Sequence, residues 1–248
     1  MITLGIDLAS QPELTGICEI AWESGGDSIT DIRVDVNDTA LKGRLASATL
    51  GKIGIDIPLG WPDPFVAAIT SYHAMRHWPD SQTRELRYRA TDEYVNRELK
   101  TRVLSVSSDR IAIPAFRAAR LLSEVLPPID RTGAGRVCEV YPAGALRRWG
   151  FTFEGYKGKR NLKVRRRLVK DLLARLDWLR ISDPDRDLCE SDDNALDAVV
   201  ASLASRAAAC GLIDAVPSDL QERASREGWI VLPLPESLDK LCGGYWRG

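Results

Sequence analysis

Short apolar runs and partly alternating stretches in the first quarter of the chain predict four strands. The run Ile2 to Ala9 is apolar until an acid and a turn end it, as expected of a buried strand. Thr15 to Trp22 and Ile29 to Val36 alternate imperfectly, which is typical of half-buried strands. A second apolar run, Lys52 to Pro58, also contains an acid near its end. The first three strands have short links and favour an antiparallel meander.

Helical patterns dominate the middle of the chain. Thr39 to Thr49 fits a helix, and a long polar and helical stretch separates the fourth strand from the next apolar run. We expect a helical insertion at about residues 62–130. The helices predicted within it are Pro64 to Trp78, Thr91 to Lys100 and Pro114 to Leu126.

The remaining third of the chain predicts one more buried strand and several helices. The strand, Arg136 to Tyr141, again carries an acid, and Ser191 to Ala209 is an alanine-rich helix that can pack closely against a sheet. The other predicted elements are a helix from Pro142 to Trp149, an amphipathic helix from Asn161 to Leu176, an acidic loop from Ser182 to Glu190 and a short edge strand from Trp229 to Pro233.

Composition and charge indicate one α/β domain, residues 1–248, of an ordinary globular protein. Hydrophobic residues make up 44% and charged residues 28%, and 34 Lys+Arg against 35 Asp+Glu give a net charge of −1. This balance excludes a uniformly basic nucleic-acid coat but permits a local basic groove. No apolar run approaches the roughly 20 residues of a membrane span. The five scattered cysteines lack a CxxC pair and predict reduced thiols in a cytoplasmic protein.

Acids within the apolar strands are the main candidates for chemistry. Asp7, Asp56 and Glu139 are each the single acid of such a strand, and Asp193 and Asp197 share one face of the alanine-rich helix. Gathered carboxylates repel one another unless cations neutralise them, and Mg²⁺ or Mn²⁺ suits an all-oxygen set. Any one of these acids alone is more commonly a turn or cap residue. Several in this order favour a two-metal site for phosphoryl chemistry.

Short motifs occur along nearly the whole chain. They are Gly5-Ile6-Asp7-Leu8-Ala9 with Thr15-Gly16, Gly54-Ile55-Asp56-Ile57-Pro58-Leu59-Gly60, Arg87, Arg89 and Asp92, Glu139-Val140-Tyr141-Pro142-Ala143, Tyr156-Lys157-Gly158, Asp193 through Asp197-Ala198, and Glu227-Gly228-Trp229-Ile230. Together these motifs resemble a bacterial and archaeal family of unknown function, number four-two-nine, described as predicted ribonuclease-H-like nucleases. The resemblance implies a ribonuclease H-like fold, a five-stranded mixed sheet of order 3-2-1-4-5 flanked by helices.

The same resemblance implies roles for five carboxylates. Asp7 would bridge two Mg²⁺ or Mn²⁺ ions, and Asp56 and Asp197 would each complete the coordination of one ion. Glu139, also counted among the metal ligands, or Asp193 would hold a metal-bound water. The family's pattern expects an acid where this chain has Asn194, which leaves Asp193 as the substitute. The activity implied is that of a nuclease or phosphodiester hydrolase acting on DNA, RNA or a hybrid.

Basic side chains are candidate ligands for substrate phosphates. We expect this role for Arg87, Arg89, Lys157 and Arg165, the last two from a run of eight basic residues between Lys157 and Lys170. The alternative is a solvated helix face whose charges pair with the acidic loop. Aromatic side chains just before this run are candidates for stacking on bases, and they are Trp149, Phe151, Phe153 and Tyr156.

Two other functions stay open at this stage. One is a phosphotransferase of the actin and sugar-kinase type, although Leu8-Ala9-Ser10-Gln11-Pro12 lacks the expected phosphate turn. The other is a non-catalytic module that binds nucleic acid or a protein on the same fold. His73 and His77 have the spacing of a metal-ligand pair on one helix, but no third ligand accompanies them and we expect them to be structural.

Overall fold

The computed structural model describes residues 1–24, 26–126 and 128–242, and the rest of the predicted 1–248 domain lies outside these ranges. Its centre is a mixed sheet of six strands in the order β5-β4-β1-β2-β3-β6. β2 runs antiparallel to both β1 and β3, whereas β4 is parallel to β1 and to β5. The strands are β1 (Ile2–Asp7), β2 (Gly16–Ala21), β3 (Asp27–Arg33), β4 (Leu50–Asp56), β5 (Val137–Glu139) and β6 (Leu179–Arg180).

Ten α-helices accompany this sheet among the described residues. Four of them, α2 to α5, connect β4 to β5 in the segment where the sequence predicts a helical insertion. The helices are α1 (Asp38–Ala46), α2 (Asp63–His73), α3 (Thr83–Arg87), α4 (Ala90–Leu99), α5 (Ala112–Val125), α6 (Pro142–Arg148), α7 (Leu162–Arg175), α8 (Asp183–Ser191), α9 (Asp193–Ala209) and α10 (Gln221–Glu227).

The prediction of a mixed α/β fold is confirmed, but that of a five-stranded sheet is wrong. The first five strands in the chain do lie side by side as 3-2-1-4-5, and β6 adds a sixth at the β3 edge. Only two residues of β6 pair, Leu179 with Asp27 and Arg180 with Ser28. A strand this short has too few residues to show an alternating pattern in the sequence.

Two further predicted elements differ from the structure. Residues 183–191 form helix α8 instead of a loop, with the Ser182 side chain accepting a hydrogen bond from the Asp185 backbone N–H. Ser182 as N-cap with Pro184 in the first turn is a helix signal that the acidic composition obscures. The predicted edge strand at residues 229–233 forms isolated bridges only, between Ile230 and Glu139 and between Pro233 and Ile213.

Both faces of the sheet are buried, which explains the uninterrupted apolar runs of β1 and β4. One face packs against α6, α7 and α9, and the other packs against α1 and α5. Cys18, Cys138 and Cys189 are buried thiols without a disulfide partner among the described residues. Among the residues that the structure describes, no helix has the length and apolar character that a membrane crossing requires.

Candidate metal and phosphodiester site

Three carboxylates meet at one edge of the sheet. Asp7 ends β1 and Asp56 ends β4, and the two residues are direct partners in the parallel pairing. Asp197 comes from the second turn of α9, which packs across these strands. Carboxylate oxygens of the three residues lie within 4.8 Å of one another. The sequence prediction that Asp7, Asp56 and Asp197 converge therefore agrees with the placement of these residues in the structure.

Gly5 allows α9 to approach β1 closely enough for this convergence. A Cβ atom on Gly5 would lie 2.1 Å from the carbonyl oxygen of Ala198 and 2.3 Å from the backbone nitrogen of Ser202. Below 3.0 Å something must shift, and backbone atoms cannot rotate away as a side chain does. The glycine at this position thus sets the distance between Asp7 on the strand and Asp197 on the helix.

We expect Gly5→Ala to lower the free energy of unfolding by about 2–3 kcal/mol, because the added methyl group overpacks the contact between β1 and α9. A displaced α9 also moves Asp197 from Asp7, so Mn²⁺ affinity should fall by about tenfold or more. The matched control is Gly43→Ala in α1, where a Cβ atom meets nothing within 4 Å. That variant should gain about 0.5–1 kcal/mol. Denaturant titration measures the free energy of unfolding of each variant, and calorimetry measures its Mn²⁺ affinity. The same results for Gly5→Ala and Gly43→Ala would contradict the role of Gly5 in setting the distance between β1 and α9.

Burial and repulsion between neighbouring acids make negative charge on Asp7 and Asp56 unfavourable. Burial raises the pKa of Asp7 well above its ordinary value, and the neighbouring Asp197 and Asp56 raise it further. Burial also raises the pKa of Asp56 to about 7, opposed by the positive charge of Lys157. Each shift shows that ionisation of these carboxyls is costly in the folded protein. A cation placed among them would reverse that cost.

Asp197 is fully buried and is held by two residues of the segment before α7. The Tyr156 hydroxyl donates a 2.7 Å hydrogen bond to Oδ1, and Lys157 Nζ lies 2.5 Å from Oδ2. Lys157 thus forms an ion pair with Oδ2, and this oxygen already has a cationic partner. A metal ion would bind Oδ2 by displacing the lysine ammonium.

A cavity of about 300 Å³ opens above Asp7 and Asp56. Lys157, Tyr141 and the segment between α4 and α5 also line it. The pKa of Tyr141 is raised, first by burial and then by Asp56. Asp7 and Asp56 are therefore accessible to a molecule of limited size, whereas Asp197 is buried behind them.

Glu139 is not brought into the group of three carboxylates. Both of its oxygens accept 2.7 Å hydrogen bonds from the buried Arg89 guanidinium, and Oε2 also accepts one from the Leu59 backbone N–H. Gly228, at φ +87, passes close by, and a Cβ atom there would lie 3.1 Å from Glu139 Oε2. These contacts assign Glu139 to an ion pair at the rim of the cavity, although the sequence predicts a metal ligand.

Asp193 and Arg165, two other predicted site residues, bind each other and the loops around α9. Asp193 Oδ1 accepts a 3.0 Å hydrogen bond from the Gly158 backbone N–H and lies 3.3 Å from Arg165. The Arg165 side chain is 2% exposed and also donates to four backbone carbonyls, those of Tyr156, Gly158, Glu190 and Ser191. Arg165 is therefore buried away from the described lining of the cavity, which differs from its predicted contact with phosphate.

The other predicted phosphate ligands divide between the site and its surroundings. Lys157 lies in the carboxylate centre, and its side chain is 51% exposed. Arg89 lines the cavity but is committed to Glu139 and to Asp92. Arg87 lines a separate cavity and donates to Ser108 Oγ at 3.2 Å. Of the four arginines and lysines predicted to bind phosphate, Lys157 alone combines exposure with a position at the described carboxylates.

Several smaller predictions also differ from the structure. Trp149 and Tyr156 are 2% and 1% exposed, so neither side chain is available to stack on a base. Helix α2 ends at His73, so His77 lies beyond it and the two exposed histidines do not share a helix. Sequence analysis also missed Arg102 and Arg110, which line the cavity from a loop without any motif.

A family model described as "Protein of unknown function (DUF429)" matches residues 5–222 of the chain. No curated protein and no solved structure matches it.

Proposed function

This chain belongs to the DUF429 family of proteins of unknown function, and we propose that it is a Mg²⁺- or Mn²⁺-dependent phosphodiester hydrolase of the nuclease type with a ribonuclease H-like core. The observation that carries the proposal is the convergence of Asp7, Asp56 and Asp197 from two adjacent parallel strands and a late helix. The 3-2-1-4-5 arrangement of β1 to β5 supports the same core.

The donor set fits a hard divalent cation. All three groups offer carboxylate oxygens, which Mg²⁺ and Mn²⁺ prefer, and the partner of Asp197 Oδ2 is itself a cation, Lys157. Burial, and after it the charges of neighbouring acids, raises the pKa of Asp7 and of Asp56, and a cation would favour the ionised forms of both. Divalent ions held there would lower the pKa of an attacking water and neutralise charge on a leaving oxygen.

The chain's own residues would orient the ligands and the substrate. Tyr156 fixes the rotamer of Asp197 through the hydrogen bond to Oδ1. Lys157 neutralises Asp197 and, being half exposed on a flexible stem, can turn to a substrate phosphate when a cation takes its place. The fold holds these side chains in place before a substrate binds. The proposed hydrolysis therefore depends on positioning and charge stabilisation and requires no histidine.

Calorimetric titration with Mn²⁺ tests the proposal first, paired with a colorimetric assay of bis(p-nitrophenyl) phosphate hydrolysis. We expect saturable Mn²⁺ binding and hydrolysis that depends on Mn²⁺ or Mg²⁺ and disappears with a chelator. Because Mg²⁺ sites often need substrate phosphates as ligands, the titration is repeated with a short oligonucleotide. Absence of Mn²⁺ binding in both titrations would refute the proposal. A thermal shift with ATP–Mg²⁺ but not with the oligonucleotide would favour a phosphotransferase.

A further inference from the structure

One wall of the cavity is held in place by hydrogen bonds. It is formed by residues 100–111, between α4 and α5. The Val103 backbone N–H donates to Asn96 Oδ1 at 2.8 Å, and Ser105 Oγ donates to the Arg87 carbonyl at 2.6 Å. Asp109 Oδ2 accepts a 2.7 Å hydrogen bond from the Ser105 backbone N–H. These bonds fix the backbone of the segment against α3 and α4.

Two of those side chains are arginines that face the same cavity as the carboxylates. Arg102 and Arg110 are exposed and line the cavity together with Asp7 and Asp56, and Arg102 also lines the separate cavity beside Arg87. Arg102 Nε donates to the Tyr88 hydroxyl at 3.2 Å. Neither arginine has a carboxylate partner within 4.0 Å among the residues described, in contrast to Arg89, which pairs with Asp92 and Glu139. Their guanidinium groups are available to an anion that enters the cavity.

The same wall also offers an apolar surface. Leu104 is 40% exposed, and Ile111 and Pro114 are partly buried where they line the cavity. Leu8 and Pro58 line it as well, beside the acids. Apolar side chains thus line the cavity beside its charged groups, a combination that small-molecule clefts use. Contact between these apolar side chains and a flat, weakly hydrated group, such as a nucleobase or an aryl ring, would bury apolar surface and favour binding.

Size and charge limit what this cleft accepts. Its volume of about 300 Å³ lies at the low end of ligand clefts. A protein binds a duplex through many phosphate contacts. This cavity is lined by three cationic side chains outside the ion pairs of Arg89, namely Lys157, Arg102 and Arg110. The chain's net charge of −1 offers no general attraction for a polyanion.

We infer that the cavity binds one phosphodiester unit that carries a flat apolar group, with the phosphate between the carboxylates and Arg102 and Arg110 and the apolar group on Leu104, Ile111 and Pro114. The inference rests on the proposed function, because the same acids would hold the cation. Such a unit comes from a small phosphodiester or from a flexible single strand. Both sources share the chemistry that this wall recognises.

The test compares wild type with Arg102→Ala, Arg110→Ala and the double variant, using Arg76→Ala as the matched control. Arg76 is exposed on the segment after α2 and lines none of the cavities described. With bis(p-nitrophenyl) phosphate, the double variant should raise KM by about tenfold or more and leave kcat within about threefold. Leu104→Ser should raise KM by a smaller factor. Arg76→Ala should leave both constants unchanged.

Equilibrium binding keeps the inference separate from the proposed function. Mn²⁺ affinity, measured by calorimetry without substrate, should be the same in wild type and in all the arginine variants. Fluorescence anisotropy with Ca²⁺ then compares labelled thymidine 5′-monophosphate p-nitrophenyl ester, a short oligothymidylate and a short duplex. Weaker binding of the first two probes to the double variant supports the inference, and the tighter of the two identifies the source. Unchanged probe binding alongside normal Mn²⁺ binding, or tightest binding of the duplex, would overturn it.

Discussion

Replacing Asp7 by asparagine should abolish measurable Mn²⁺ binding and lower metal-dependent phosphodiester hydrolysis by about a hundredfold or more. Asp7 is the carboxylate that both other members of the group face, since it pairs with Asp56 across the sheet and contacts α9, which carries Asp197. Loss of a residue that merely supports a ligand typically costs 10–100-fold, so loss of the central ligand should cost at least that much. Calorimetry and the colorimetric assay measure both effects.

The stability of the same variant shows whether it fails through lost ligation or through misfolding. In the metal-free wild type, burial and neighbouring acids raise the pKa of Asp7, and the pKa of Asp56 rises from 3.8 to about 7. Between these two pH values the folded protein binds more protons than the unfolded chain, so stability falls as the pH rises. Asp7→Asn removes one charge and should raise the Tm of the metal-free protein at pH 8 by a few degrees.

Asp80→Asn is the matched control for that variant. Asp80 is exposed, lies between α2 and α3, and belongs to no carboxylate group in the described structure. It should leave Mn²⁺ binding, hydrolysis and Tm unchanged. If Asp7→Asn also binds Mn²⁺ and hydrolyses the substrate like wild type, the carboxylates are structural. The protein would then be a binding module, and charge removal at Arg166 and Arg167 would be the next variant to examine.

The elements that sequence reasoning placed correctly are those with a strong local pattern. The buried runs of β1 and β4 each end in an acid, and parallel neighbours align those acids at one sheet edge without further information. The alanine-rich helix α9 has small residues where it crosses the sheet, so Asp197 could be expected near them. The sequence pattern thus indicated five candidate acids, and the structure brings three of them together.

The parts that sequence reasoning missed depend on which charges meet after folding. Nothing local distinguishes the acid of β5 from those of β1 and β4, yet Glu139 meets Arg89 from the helical insertion, 50 positions away. Likewise, Arg165 meets Asp193 across α7 and α9, so its charge is not available to a phosphate. A charged residue in a motif can serve either a fold or a reaction, and only its partners in space decide between them.

The second large effect that we expect is a loss of stability in Glu139→Gln, because Glu139 is paired with a buried arginine. Arg89 is 1% exposed and depends on Glu139 and Asp92 for its neutralisation, while Glu227 adds a backbone carbonyl. Removing one partner of a buried charge pair typically costs about 3–5 kcal/mol. For a chain of this size we expect the Tm to fall by about 6–20 °C. Burial raises the pKa of Glu139, and the positive charge of Arg89 opposes that rise.

In Glu139→Gln, Mn²⁺ affinity should change much less than the stability of the fold. Because Arg89 occupies both Glu139 oxygens, we expect Glu139→Gln to keep Mn²⁺ affinity within about threefold of wild type at a temperature where the variant is folded. Glu93→Gln, a partly exposed acid one turn along α4 that pairs with Arg84, is the control and should lose less than about 1 kcal/mol. Lost Mn²⁺ binding in a folded Glu139→Gln with near-normal Tm would make Glu139 a ligand, as its strand position predicts. Retained binding with a lowered Tm would make it the residue that anchors the helical insertion to the sheet beside the carboxylates.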